Sequence, residues 1–62
     1  MLPISCTARN VNKPTEVVHY KSIEELSADF NLEGDDVLEL YEGKEVLVRW
    51  AKRNWMLTVD DP

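Results

Sequence analysis

The apolar positions near the start of the chain alternate with polar ones, a period that is typical of a half-buried strand. Within residues 1–8, Ile4 and Cys6 fall on one side of such a strand, while Ser5 and Thr7 fall on the other. The pattern therefore predicts a first β-strand over this stretch, with its apolar side turned towards a core.

A run of turn-forming residues follows, and its asparagine and proline residues place the bend of a hairpin at residues 12–15. Residues 16–21 are then rich in β-branched and aromatic side chains and predict a second strand. Val17 and His19 would face one way, and the valine and tyrosine that follow them would face the other.

The apolar period changes to that of a helix after residue 21. Ser22 and Glu25 have the spacing of a capping box, in which each side chain satisfies a backbone amide of the first turn. Ile23, Leu26 and Phe30 then recur at the three-to-four-residue interval of a buried stripe. The sequence predicts an amphipathic helix of about two turns.

The first helix is predicted to end at Asn31, because asparagine tolerates the left-handed backbone conformation in which helices commonly stop. Leu32 would then turn back onto the core. Two interpretations are open for residues 36–41. One is a second helix capped by Asp35 or Asp36; the other is a strand that pairs with residues 45–50. The acidic pair favours the helix, because it would interact with the backbone dipole at the amino terminus of that helix.

Alternation returns near the end of the chain. Residues 45–50 alternate strictly and predict a strand, residues 51–54 read as a polar turn, and residues 55–59 form another β-favouring run. Residues 60–62 would fray. We therefore expect an α+β fold over residues 1–62: a small single domain with an N-terminal β-hairpin, a short helix-turn-helix-like pair and C-terminal β-strands.

The size and composition limit what this chain can do. A domain of 62 residues buries only about 60% of the surface of its unfolded chain, so a large enclosed catalytic centre is not expected. Cys6 is the only cysteine, which excludes an intrachain disulfide and a four-cysteine zinc site and favours a reducing compartment. We find no long apolar span and no signal peptide, so we expect a cytoplasmic protein that does not enter membranes. We expect no cofactor.

The charge of the chain is concentrated in its middle. The net charge is −5, but residues 22–45 contain nine acidic residues and one basic residue, a local charge of −8. The segments on either side are weakly basic, with +2 over residues 1–21 and +1 over residues 46–62. The predicted helices therefore form the acidic part of the molecule.

The helical stretch resembles the NUMOD1 or intron-encoded nuclease repeat family, small helix-turn-helix modules found beside phage and mobile-element homing endonucleases. Their consensus runs approximately as a strand followed by S-I-x-E-A-A-x-x-L-G-I-S-x-x-x-I, and the similarity covers roughly residues 4–59. The matching residues are Ser22, Ile23, Glu25, Leu26, Ser27, Phe30, Asn31, Leu32, Glu33 and Val37. The resemblance implies a helix-turn-helix fold whose second helix enters the major groove of DNA.

This chain departs from the family at the start of the second helix. Where the family has phosphate-tolerant residues, this sequence has Glu33, Gly34, Asp35 and Asp36. Each carboxylate about 7 Å from a phosphate would be repelled by roughly 0.6 kcal/mol even in water. We expect the fold to be kept and the reading of DNA to be lost.

Two binding hypotheses and a structural one follow from the charges. The first is a non-enzymatic, regulatory or inhibitory module that docks on a basic protein surface. The second is a DNA-binding accessory domain that uses the second helix and basic residues, some of which lie beside tryptophans that could stack on nucleobases. The third is a small structural or dimerising subunit, a possible homodimer with a tryptophan at its interface. The residues assigned to the first are Glu24, Asp29, Glu33, Asp35, Asp36 and Glu39, and to the second Lys44, Arg49, Lys52 and Arg53.

The residues capable of catalysis are few. His19 is the only histidine, and the sequence shows no nucleophile or carboxylate held within its reach, so it is interpreted as a strand residue. Cys6 is interpreted as a small buried apolar residue. The acidic residues lack the spacing of an EF-hand, and no metal site is expected. We therefore predict no enzymatic activity.

Overall fold

Two strands, two helices and two further strands follow one another in the computed structural model, which describes residues 5–60. This order confirms the predicted α+β fold. The elements are β1 (Ser5–Asn10), β2 (Val17–Tyr20), α1 (Ile23–Phe30), α2 (Gly34–Tyr41), β3 (Val46–Trp50) and β4 (Arg53–Asp60).

The four strands form one antiparallel sheet in the order β2-β1-β4-β3. The two strands that are furthest apart in sequence, β1 and β4, are therefore neighbours in the centre. Ala8 lies opposite Val18 on one side and Leu57 on the other. The hairpins β1–β2 and β3–β4 thus join through a long-range pairing, and their outer strands form the two edges of the sheet.

One face of the sheet carries both helices, and the core lies between these two layers. Alternation turns Cys6, Ala8, Val46, Trp55 and Leu57 to this face, where they are buried. The predicted stripe of α1 packs onto them, and Leu40 adds the contribution of α2. The opposite face, which includes Leu47 and Arg49, has no helix over it among the described residues.

The local signals of α1 are confirmed with one adjustment. Ser22 Oγ accepts a hydrogen bond from the Glu25 amide at 3.2 Å, as a capping box requires. The Glu25 carboxylate, however, accepts from the amide of Lys21 at 3.3 Å and so reaches one residue further back than predicted. Asn31 ends the helix in the left-handed conformation with φ of 54°, and Leu32 packs against the core as predicted.

Residues 36–41 are helical, so the strand interpretation is wrong. The predicted start of α2 also needs correction: the N-cap is Glu33, whose side chain makes no capping hydrogen bond, and the helix begins at Gly34. The connection between the helices has only three residues, and Leu32 is held in the core. The Val37 amide donates to the Glu33 carbonyl at 3.1 Å, so the first helical hydrogen bond starts at Glu33, and Asp35 and Asp36 lie inside the first turn rather than capping it.

Several strand boundaries differ from the prediction: β2 and β3 are shorter than residues 16–21 and 45–50, and β1, β4 and the turn before β4 differ as well. The first strand extends to Asn10, and Ile4 lies outside the described residues. The polar turn is shorter than residues 51–54, because Ala51 and Lys52 alone make the turn and β4 begins at Arg53. The carbonyl of Asn54 accepts a hydrogen bond from the Val11 amide at 2.9 Å, so this residue already belongs to the ladder. At the other end, β4 continues through Asp60, which was predicted to fray, and residues 61–62 lie outside the described residues.

Candidate functional site

All six carboxylates of the predicted partner surface lie on the helical layer or in the link between its helices. Five of them are exposed, and Asp36 is half-buried. The structure does not gather them on one surface. It divides them into a pair beside β3, a pair on the outer side of α2, and two that each interact with a tyrosine.

Glu33 and Asp36 form the pair beside β3. They line a cleft of about 300 Å³ that lies between the start of α2 and the edge strand β3. Phe30 and Val48 contribute apolar surface to the same cleft, and Arg49 lines its strand side. The eight lining residues are Phe30, Asn31, Leu32, Glu33, Asp36, Leu47, Val48 and Arg49.

Asp35 and Glu39 form the outer pair. They are four residues apart in α2, so they share one side of the helix. Both are exposed, and Leu38 beside them is 60% exposed. This side of α2 presents negative charge and apolar surface together to the surroundings.

Glu24 and Asp29 interact with tyrosines on opposite sides of α1. The Tyr41 hydroxyl donates to Glu24 Oε1 at 2.9 Å and ties α2 to the first turn of α1. The pKa of Glu24 is lowered, first by its own backbone amide at the helix start and then by this hydroxyl. Burial, together with a hydrogen bond to Asp29, raises the pKa of Tyr20 to about 12. These two carboxylates therefore also have a role within the fold.

The four basic residues of the nucleic-acid hypothesis do not lie together on one surface. Lys44 lies 3.1 Å from Glu42 and Arg53 lies 2.7 Å from Glu16, so two of the four are held in ion pairs. Arg53 lies opposite Trp50 in the ladder, and alternation places Arg49 on the other face of the sheet. Lys52 lies in the β3–β4 turn.

The tryptophans belong to an aromatic cluster at the end of the sheet. Trp55 is buried, as expected of a core residue, and its ring packs edge-on against Phe30 with ring centroids 5.6 Å apart. Trp50 packs on Phe30 at 4.8 Å but remains 40% exposed. Among these aromatic residues, Trp50 therefore offers a surface for contact with another molecule.

A polar cluster on the open face of the sheet was missed by the sequence analysis. Thr7 Oγ1 donates to Asp60 Oδ2 at 2.6 Å and lies 3.1 Å from Nδ1 of His19. Because the threonine proton is committed to Asp60, the imidazole must donate from Nδ1 to the threonine oxygen. This is the reverse of nucleophile activation, in which the imidazole accepts the hydroxyl proton. No sequence motif signals the cluster, since it depends on the pairing of β1 with both neighbours.

Cys6 is fully buried in the core. Burial, with smaller contributions from Asp60 and Glu24, raises the pKa of its thiol to about 11. A thiol in this position is protonated at neutral pH and is a poor nucleophile.

The described residues 5–60 contain no group of three or more histidine, cysteine or acidic side chains placed to hold a metal ion. Over the same range, neither helix has the length and apolar character needed to cross a membrane. Comparison of the chain with protein-family models, curated proteins and solved structures gave no match.

Proposed function

We propose that this chain is a non-enzymatic binding module that docks its acidic helical layer on a basic surface of another protein. The observation that supports this is the succession of Glu33, Asp35 and Asp36 at the N-cap and in the first turn of α2. The ion pairs of residues 5–60 join other groups, so none of these three carboxylates is neutralised within the described part of the chain. A partner that brings positive charge would relieve their mutual repulsion.

The class of partner follows from the same charges. Carboxylates spaced along helices imitate the phosphates of a nucleic acid, so a protein that normally holds nucleic acid is a suitable partner. Together with the resemblance to modules of mobile-element nucleases, this favours a regulatory or inhibitory role in a phage or mobile element. The single thiol is consistent with action in the cytoplasm.

The first test reverses the charge at the start of α2. The change Asp35→Lys with Asp36→Lys should reduce capture of basic proteins from a cell lysate by about tenfold or more, because attraction becomes repulsion. The measurement is affinity capture on the immobilised intact chain, followed by identification and quantification of what is retained. Circular dichroism should show that both forms are folded.

A matched control makes the same change in net charge elsewhere. Glu42→Lys with Glu45→Lys alters exposed residues beyond the other end of α2, about 12 Å along the helix. This variant should capture basic proteins as well as the original chain does. A second test form, Asp35→Ser with Asp36→Ser, removes the charge but keeps residues suited to a helix start. Its capture of basic proteins should lie between that of the original chain and that of the lysine variant. Equal capture by all four proteins would contradict the proposal, as would a gel shift of duplex DNA that depends on salt.

A further inference from the structure

No strand within residues 5–60 pairs with the outer edge of β3, and the ladder identifies which residues direct their backbone groups to that edge. The Asn54 carbonyl points to β1, where it accepts from the Val11 amide. The direction of the backbone amide and carbonyl groups alternates along a strand. In β4, the backbone groups of Arg53, Trp55 and Leu57 therefore point to β3. The backbone groups of their ladder partners in β3, Trp50, Val48 and Val46, therefore point to β4.

Leu47 and Arg49 consequently direct their amide and carbonyl groups away from the sheet, since they alternate with the inward-pointing residues. No described segment pairs with this side of β3, which is the last strand of the sheet. Leu47 is also 58% exposed. This edge is able to accept another strand.

The unpaired edge borders the acidic cleft. Leu47 and Arg49 line the cleft on the strand side, and Glu33 and Asp36 line it on the helix side. Phe30 and Val48 add apolar surface between them. The cleft therefore combines exposed backbone groups of β3 with two carboxylates on the helix side, which outnumber the one guanidinium, that of Arg49, among its lining residues.

We propose that an extended peptide segment with basic residues at every second position adds to β3 as an antiparallel fifth strand. Side chains of a strand alternate between faces, so one set would lie on the helix side, beside Glu33 and Asp36. The other set would lie on the open face of the sheet, on the same side as the side chains of Leu47 and Arg49. This inference rests on the proposed function and assigns the basic partner a conformation and a binding site.

The charges favour a basic peptide over a second copy of this chain. Antiparallel pairing of β3 with its own copy would bring two helical layers to the same side of one continuous sheet. Each layer includes residues 22–45, with a charge of −8. Repulsion between them opposes self-association, whereas lysine or arginine side chains would neutralise the cleft wall.

The free protein provides the first part of the test. Amide hydrogen exchange followed by NMR should be fast at Leu47 and Arg49 and slow at Val46 and Val48, whose amides bond to β4. Protection of all four amides, combined with dimerisation in sedimentation, would show that a second copy occupies the edge and would overturn the proposal.

The second part uses a blocked six-residue peptide of alternating lysine and threonine. Its binding should slow exchange at Leu47 and Arg49, because their amides become bonded. In the antiparallel arrangement, the threonine residues direct their amides to β3 and the lysine residues direct theirs to solvent. Methylating the backbone amide nitrogens of the threonine residues should weaken binding by about tenfold or more. Methylating the backbone amide nitrogens of the lysine residues should change the affinity by less than about twofold. The two peptides have the same charge and composition, so each serves as the control for the other.

The third part separates this inference from the proposed function. Glu33→Lys with Asp36→Lys should weaken binding of the alternating peptide by about tenfold or more. If this variant loses binding while the two methylated peptides bind equally, the acidic surface acts by charge alone, and the strand-addition proposal is overturned. If the intact chain binds neither this peptide nor any basic protein, both proposals are wrong.

Discussion

Replacing Leu57 with alanine should leave much of the protein unfolded at room temperature. Leu57 is fully buried in a central strand and lies opposite Ala8 in β1 and Val46 in β3. Truncating a buried leucine costs about 2–5 kcal/mol, through lost burial and the cavity left behind. Small domains lie near the lower end of the usual 5–15 kcal/mol, so this loss removes most of the stability. Urea unfolding followed by tryptophan fluorescence measures the change.

Leu47→Ala is the matched control. It is the same substitution in a strand of the same sheet, but Leu47 is 58% exposed on the open face. We expect it to change the free energy of unfolding by less than about 0.5 kcal/mol. A similar cost at both positions would contradict the arrangement in which the helices cover one face of the sheet and leave the other open.

Changing the β3–β4 turn should have a large effect in the opposite direction. Ala51 and Lys52 both have positive φ, 53° and 63°, as in the type I′ turn of a two-residue hairpin. Each costs roughly 1 kcal/mol in that conformation, because its Cβ crowds the following carbonyl. Ala51→Asn with Lys52→Gly should stabilise the protein by about 1–2 kcal/mol. Thermal unfolding should show this as a rise of about 4–8 °C in Tm per kcal/mol.

Gly43→Ala tests the same physical argument with the sign reversed. Gly43 has a φ of 80°, and no heavy atom beyond the glycine and its two chain neighbours lies within 4 Å of where a Cβ would be placed. Its cost, about 1 kcal/mol, would therefore come from the backbone conformation rather than from a clash. If the turn variant is no more stable than the original chain and Gly43→Ala is neutral, the left-handed conformations described for this fold are wrong.

The elements that could be predicted from the sequence are those set by short-range signals. The cap at Ser22, the buried stripe beginning at Ile23 and the end at Asn31 all act within a few residues, and α1 follows them. The alternation over residues 45–50 likewise predicted a strand, and β3 occupies Val46–Trp50. Such signals depend on neighbouring residues and need no knowledge of the rest of the fold.

Features set by distant residues could not be predicted. The central pairing joins Ser5 to Asp60, and no local pattern specifies that β1 and β4 are neighbours. The start of α2 carries no local capping signal, because the side chain of its N-cap, Glu33, makes no capping hydrogen bond. The tight turn at Ala51 was also hidden, since alanine and lysine are not the residues that usually signal positive φ.

The same distinction applies to the candidate site. Sequence identified the acidic residues because charge is visible without a structure. It did not show that Glu33 and Asp36 line a cleft with β3 while Asp35 and Glu39 point away from it. The unpaired edge could not be anticipated either, because it depends on which strand ends the sheet.

The most direct test of the proposed function is an NMR titration of the intact isotope-labelled chain at low ionic strength. One sample receives the peptide of alternating lysine and threonine, and a second receives a short DNA duplex. We predict that the peptide shifts the amide signals of residues 33–36 and 47–49, while the duplex leaves them unchanged. Shifts of residues 34–38 on addition of the duplex, with no response to the peptide, would contradict the account.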